Sequence, residues 1–187
     1  RASLRQCLKE IRDFLGENTN DVLVADRATI RLNINKLDVD ALALTQQLAS
    51  ANTNRTLALT LAGQWKGELF GEILPNAPVF EAWVQVERSR LLTAVSTLLS
   101  DHLKQQLAAH DFADPDVANE LLRLEPCHEL AHQFLMQFHA MRGDQAGALR
   151  QFEALGRALA DDLDSEPSIE SVDLLVAIKK GDIRSTI

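Results

Sequence analysis

The fold is decided by the opening stretch Arg1-Ala2-Ser3-Leu4-Arg5-Gln6-Cys7-Leu8-Lys9-Glu10-Ile11-Arg12-Asp13-Phe14-Leu15. Its apolar residues recur at three- and four-residue spacing, which predicts an amphipathic helix. These are Leu4, Cys7, Leu8, Ile11, Phe14 and Leu15. The basic residues fall together on the opposite, exposed face, and they are Arg1, Arg5, Lys9 and Arg12. We therefore expect a helix that packs by one face and presents positive charge on the other.

A short β-hairpin is predicted to follow this helix. Residues 23–25 and 29–32 are its two strands, and Ile30, Leu32 and Ile34 alternate with polar residues as in a half-buried strand. A basic helix followed by a hairpin is the order found in the second half of a winged helix-turn-helix, the half that touches DNA. The first half would precede residue 1, so we expect the chain to begin inside a DNA-binding domain.

Charge is unevenly divided along the chain, whose net charge is −8. Residues 1–36 hold seven Lys or Arg and five Asp or Glu, which gives +2, whereas residues 37–187 hold twelve and twenty-two, which gives −10. An acidic surface repels phosphate, so contact with nucleic acid is expected only at the N-terminal end. The acidic remainder is typical of a solvated or protein-contacting domain.

The rest of the chain is predicted to be helical, because Gly and Pro are few and Leu and Ala are abundant. The expected helices cover about 38–50, 55–63, 79–109, 115–124, 127–141, 145–161 and 168–180. The apolar stretch 64–79 should pack on them as a loop. Helix lengths and short turns in the later part are those of tetratricopeptide-like repeats. We predict a mainly α fold with a partial winged-helix domain at 1–36 and an all-helical domain at 37–187.

The two cysteines indicate a reducing compartment. Cys7 lies on the apolar stripe and is predicted to be a buried thiol, while Cys127 is 120 positions away at a spacing that supports no disulfide. No apolar run reaches the roughly 18 residues of a membrane span, and no signal peptide is visible. We expect a cytoplasmic location and no membrane partner.

The run His128-Glu129-Leu130-Ala131-His132 matches the zinc-protease pattern His-Glu-x-x-His. That chemistry needs both imidazoles on zinc and Glu129 as a base toward a bound water, with Glu153 as a third ligand. The apolar face of this helix instead predicts packing, with both histidines on its flank. No strand is predicted nearby to hold a substrate. We therefore expect no metal, no cofactor, no catalytic residue and no enzyme activity.

Beyond these patterns, the chain resembles a known family in several ordered motifs. The helix of residues 1–15 is similar to the recognition helix of winged-helix activators of the antibiotic-regulatory-protein type. Seven later motifs resemble the bacterial transcriptional activator domain that follows this helix in such proteins. They are Gly67-Glu68-Leu69, Phe80-Glu81-Ala82-Trp83, Glu87-Arg88-Ser89-Arg90-Leu91, Leu124-Glu125-Pro126, Glu129-Leu130-Ala131-His132, the run 143–153 and the closing run 159–168. One departure is Asp164, where the family usually has Gly.

The resemblance implies a DNA-binding transcriptional regulator. Its winged helix would bind double-stranded promoter DNA, and its helical domain would self-associate or contact RNA polymerase, another protein or a sensor module. Arginine can read guanine edges and glutamine can read adenine, while Lys and Arg also hold phosphates. The predicted DNA-binding residues are Arg1, Arg5, Gln6, Lys9, Arg12, Arg27 and Arg31. The alternative is a helical protein- or ligand-binding module whose basic face is only solvated and makes no DNA contact.

Overall fold

A computed structural model of the chain describes residues 2–26, 28–50, 55–64, 69–71 and 77–182. The fold is mainly α, as the sequence predicts, with one small two-stranded sheet near the N-terminus. The chain divides into two compact units, residues 1–45 and residues 46–187. The domain boundary after residue 36 stays a prediction. None of the helices in these described ranges combines the length and apolar character that crossing a membrane requires.

The N-terminal unit contains a helix followed by a hairpin. Helix α1 (Ala2–Leu15) leads through a short 3-10 turn to the single-turn helix α2 (Thr19–Val22) and then to strands β1 (Leu23–Ala25) and β2 (Ile30–Leu32). The strands are antiparallel, with Leu23 opposite Leu32 and Ala25 opposite Ile30. The predicted order of helix and hairpin is therefore confirmed.

Burial in this unit differs from the prediction. Cys7 is exposed rather than buried, and Leu4 and Phe14 of the same apolar stripe are 56% and 90% exposed. The hairpin residues Ile30 and Leu32 are also exposed. An amphipathic pattern predicts which face of a helix can pack. Whether that face is buried depends on another element of the folded chain lying against it. Among the described residues of this unit, Leu8 and Leu15 of the stripe are half-buried, whereas Leu4, Cys7, Ile11 and Phe14 are left exposed.

The helical part begins with α3 (Asp40–Ser50), two residues after the predicted start of this helix at about 38. The Val39 carbonyl oxygen takes the first helical hydrogen bond, from Ala43 N at 2.9 Å. The later helices agree with the predicted ones within a few residues at each end. They are α4 (Arg55–Gln64), α5 (Pro78–Ala108), α6 (Asp116–Leu124), α7 (Glu129–Met141), α8 (Gln145–Leu163) and α9 (Ile169–Lys180).

Helix α5 is the longest element, and it organises the first part of the helical unit. Pro78 begins it at a position where a backbone N–H would have no helical partner. The Glu81 carboxylate accepts a 3.2 Å hydrogen bond from Ala77 N and so closes the first turn. Helices α4, α6 and α7 pack against it. Its fully or nearly buried apolar stripe consists of Val84, Leu91, Val95, Leu99 and Leu103.

The loop before α5 packs on that helix where the structure describes it. The Arg88 guanidinium donates to the Leu69 carbonyl oxygen at 2.7 and 2.9 Å and to the Gly71 carbonyl oxygen at 2.7 Å. The Phe70 ring lies 5.5 Å from the ring of Phe80, centroid to centroid. Most other residues of the predicted loop lie outside the described residues.

Helices α7 and α8 form a hairpin joined by a turn at Gly143, whose φ of +76° is readily adopted only by glycine. Asp144 caps α8, with its Oδ1 accepting from Gly147 N at 2.8 Å. Helix α9 packs on both partners. Burial of this shared core removes apolar surface from water and stabilises the three-helix arrangement. The buried residues of this core are Met136, Ala140, Ala148, Leu174, Leu175 and Ile178, and Phe152 packs at its edge.

Candidate functional site

The basic face of α1 is exposed to solvent. Arg5, Lys9 and Arg12 stand at spacings of four and three residues, which places them along one side of the helix. Arg31 is exposed on β2, where it pairs with Val24 of β1. Arg1 and Arg27, also predicted to contact DNA, lie outside the described residues.

Gln6 stands apart from this basic face. Helical geometry puts Gln6, Glu10 and Asp13 about 100° around the axis from the three cations. The Gln6 side chain donates from Nε2 to Glu10 Oε1 at 2.9 Å. To read a base edge, Gln6 would have to exchange this hydrogen bond for one to the base.

Two polar residues that sequence reasoning missed connect α1 to the hairpin. Thr19 Oγ1 lies 3.0 Å from the Arg12 carbonyl oxygen and 2.6 Å from that of Gly16, so it caps the end of α1. Asn33 donates from its backbone N to the Val22 carbonyl oxygen at 2.8 Å and from Nδ2 to the Asp21 carbonyl oxygen at 3.1 Å. These contacts fix α2 between the helix and the strands. The local signal for them was weak, because Thr and Asn occur in many turns.

The hairpin turn is organised by Asp26. Its Oδ1 accepts from the backbone N of Ala28 and of Thr29, both at 2.7 Å, and its Oδ2 accepts from Thr29 Oγ1 at 2.8 Å. The hydrogen bond from Ala28 N, followed by those from Thr29, lowers the pKa of the Asp26 carboxyl. The carboxylate therefore stays charged at neutral pH and offsets part of the positive charge on the hairpin.

Glu129, the base of the zinc-protease pattern, binds helix α9 instead of facing an open site. Its Oε2 accepts from Ser168 N at 3.0 Å, from Ser168 Oγ at 2.5 Å and from Ser171 Oγ at 2.6 Å. Burial acts to raise the pKa of Glu129, but the hydrogen bonds from Ser168 and Ser171 outweigh burial and lower it. The carboxylate thus joins α7 to the first turn of α9.

His132 is buried, not on the flank where the sequence placed it. Its Nε2 lies 2.9 Å from the Pro126 carbonyl oxygen, which can only accept, so Nε2 carries the proton. Its Nδ1 lies 2.7 Å from Gln151 Nε2 and accepts from it. Burial lowers the pKa of His132 and keeps the ring neutral. Both ring nitrogens are therefore engaged in packing contacts.

The remaining members of the pattern do not assemble a metal centre. Glu153, which a zinc site here would have needed as a third ligand, is exposed on α8. Within the part of the chain that the structure describes, no group of three or more His, Cys, Asp or Glu side chains is arranged to hold a metal ion. The contacts of Glu129 and His132 give the physical reason, since each side chain is directed to its own partner.

Comparison with known families covers most of the chain. The profile of the bacterial transcriptional activator domain, BTAD, matches residues 34–179. The chain belongs to the BTAD family. The matched region runs from the turn after the hairpin almost to the end of α9, and BTAD is a domain of transcription regulators, not of enzymes. No curated protein matches the chain.

Proposed function

We propose that this protein is a promoter-binding transcription regulator in which α1 and the hairpin contact double-stranded DNA. One observation carries the proposal. The exposed cations Arg5, Lys9 and Arg12 line a single face of α1, a hairpin follows after a short turn and α2, and a BTAD region follows in the same chain. Arg5 and Arg12 would reach guanine edges or phosphates, and Lys9 would hold phosphate. Gln6 would read adenine after releasing Glu10, and Arg31 with Arg27 would touch the neighbouring backbone, with Arg1 extending the basic face.

The predicted helical domain, residues 37–187, is proposed to contact proteins rather than DNA. Residues 37–187 carry a net charge of −10, which opposes contact with phosphate. Apolar side chains along the first half of α5 are exposed, with Val79 at 87%, Trp83 at 49% and Val86 at 64%. Exposed apolar surface of this kind suits self-association or contact with RNA polymerase or a sensor module. Such a regulator would act in the cytoplasm, where promoter DNA is.

The test is a fluorescence-anisotropy titration of the intact protein at two salt concentrations. The two probes are a duplex from upstream of its own operon and a random duplex of equal length. We expect tighter binding to the first duplex and a fall in affinity as salt rises. Arg5→Ala and Arg12→Ala should each reduce the salt slope by about 1 for a phosphate contact, or cost about 1–3 kcal/mol for a base contact.

Arg157→Ala is the matched control, because it removes the same charge from an exposed position on α8. It should leave affinity and salt slope unchanged. If Arg5→Ala and Arg12→Ala behave like this control while the protein stays folded, the assignment of the DNA-contacting face is wrong. Absence of binding to either duplex would favour the alternative of a helical protein- or ligand-binding module.

A further inference from the structure

The outward face of α9 is apolar although it lies at the surface. Ile169, Val172 and Val176 are 76%, 40% and 41% exposed. Their spacing of three and four residues places them in one stripe along the helix. The other side of α9 packs on α7 and α8 and holds the buried residues Leu174 and Ile178. Helix α9 is therefore apolar on two sides, and the described part of the chain covers only one of them.

Charge is divided between the two ends of α9. Glu170 lies in the first turn and Asp173 follows it, whereas Lys179 and Lys180 stand in the last turn. All four side chains are exposed. Acidic groups near the N-terminus and basic groups near the C-terminus are favoured by the dipole of the helix. The dipole explains this order of charge, but it gives no reason for an exposed apolar stripe beside the charged residues.

The same order of charge makes α9 complementary to a second copy of itself that runs in the opposite direction. Residues 166–173 hold three Asp or Glu and no Lys or Arg, which gives −3, whereas residues 176–182 hold two Lys and one Asp, which gives +1. Two antiparallel copies bring −3 opposite +1 at both ends of the contact, whereas two parallel copies bring −3 opposite −3. A two-fold dimer needs a patch that is complementary to itself. The α9 surface meets this condition.

A two-fold axis at the level of residue 174 brings the two apolar stripes together. Val172 of each copy then faces Val176 of the other copy. Glu170 faces position 178 of the other copy, and at 1.5 Å per residue Lys180 is only about 3 Å further along the helix. Within one α9 these two residues are about 15 Å apart, so they cannot pair with each other in the same helix. Among the described residues neither of them takes part in an ion pair.

We propose that α9 is a dimer interface, in which two copies of this chain pack their α9 helices antiparallel about a two-fold axis. The apolar stripe forms its centre, and Glu170 of each copy pairs with Lys180 of the other. The inference rests on the protein-contacting role proposed for the helical domain, and it assigns self-association to α9. This helix has 12 residues and is about 18 Å long, so the contact falls below roughly 1,200 Å², as in weak reversible complexes. We expect a Kd on the order of 10–100 µM.

Sedimentation equilibrium of the intact protein, from about 1 to about 300 µM, measures this dimer. Val176→Glu should raise the Kd at least about ten-fold, because it places a carboxylate from each copy in the apolar centre of the contact. Val86→Glu makes the same change at an exposed position on α5 and should leave the Kd unchanged. Circular dichroism should show both variants folded, since both side chains are exposed. A protein that stays monomeric over the whole range contradicts the interface, and so does a Val176→Glu variant that dimerises like the parent chain.

Exchange of charge tests the antiparallel arrangement. Glu170→Lys sets two basic groups opposite each other across the contact and Lys180→Glu sets two acidic groups there, so each should weaken the dimer about three- to ten-fold. The variant with both changes restores opposite charges between the copies and should return to nearly the parent Kd. A double variant as weak as either single one would overturn the arrangement. A monomeric protein that still binds its promoter duplex in a salt-dependent way would refute the α9 interface and leave the proposed DNA contact standing.

Discussion

Glu129 and Ser171 stand 42 positions apart in the sequence, yet Ser171 Oγ donates a 2.6 Å hydrogen bond to Glu129 Oε2. Ser171 is completely buried, and Gln133 Nε2 donates to the same hydroxyl oxygen at 2.9 Å. The carboxylate also accepts from Ser168, the N-cap residue of α9. An anion at this position is favoured by the positive end of the helix dipole. One acidic side chain of α7 therefore sets where α9 begins.

Replacing Glu129 should destabilise the helical unit. Glu129→Ala removes a charged acceptor and leaves the buried Ser171 hydroxyl with one partner fewer, so we expect the free energy of unfolding to fall by about 1.5–3 kcal/mol. Urea denaturation followed by circular dichroism measures this loss. Glu153→Ala on the exposed surface of α8 is the control and should stay within about 0.5 kcal/mol of the parent chain. Equal stability of the two variants would contradict the structural role of Glu129.

The contribution of Glu129 should depend on pH in a defined direction. Its folded-state pKa lies below the ordinary value, so its stabilising effect is fully present above the unfolded pKa of about 4.3 and is lost as pH falls through the folded pKa. The stability gap between the parent chain and Glu129→Ala should therefore be constant from pH 6 to 7. It should shrink in acid below about pH 4. A gap that widens on acidification would show that the carboxylate is not the stabilising form.

Two glycines of α8 should respond in opposite ways to alanine. A Cβ on Gly147 would overlap the Asp144 carboxylate and lie 2.5 Å from His139 Nδ1, so Gly147→Ala must displace the cap of its own helix. We expect a net destabilisation of about 1–2 kcal/mol. A Cβ on Gly156 meets no atom within 4 Å, and Gly156→Ala should stabilise by about 0.5–1 kcal/mol through helix propensity. Thermal unfolding of both variants checks the pair, and a gain in stability for Gly147→Ala would disprove the steric argument.

Asp164 occupies a left-handed backbone conformation, with φ 47° and ψ 43°, at the C-cap of α8. Gly reaches this region without a Cβ clash, so Asp164→Gly should raise the free energy of unfolding by about 0.5–1 kcal/mol. Asp164→Val should lower stability, because a β-branched residue resists positive φ. Chemical denaturation should rank the three proteins in the order Gly, Asp, Val, and any other order would contradict the role of backbone strain here.

Helix positions were predictable because the signals that begin and end helices are local. Pro78 marks the start of α5, Gly143 and Asp144 mark the turn between α7 and α8, and Gly181 ends α9 in a left-handed conformation. Each of these effects involves residues within one turn of each other. The order of helix and hairpin in the N-terminal unit follows from equally local periodicity.

The local sequence pattern predicted the arrangement of only some of the proposed DNA-contacting residues. The spacing of Arg5, Lys9 and Arg12 was sufficient to place them on one helix face. The hydrogen bond from Gln6 to Glu10, on the acidic side of α1, could also be predicted, because the two residues are an i, i+4 pair. How the hairpin is joined to α1 was not readable, because Asn33 reaches backward to Asp21 and Val22 across the strands.

By itself the sequence determined which segments become helices, where charge accumulates and which family the chain belongs to. Tertiary structure alone decided that Cys7 is exposed, that His132 is buried and that the Glu129 carboxylate accepts hydrogen bonds from the first turn of α9. It also decided that Ser96 of α5 is buried, with no hydrogen-bond partner for its Oγ among the described residues. The physical reason is the distance along the sequence over which each effect acts. Helix formation depends on neighbours a few residues away, whereas burial and hydrogen-bond partners depend on segments that meet only after the chain has folded.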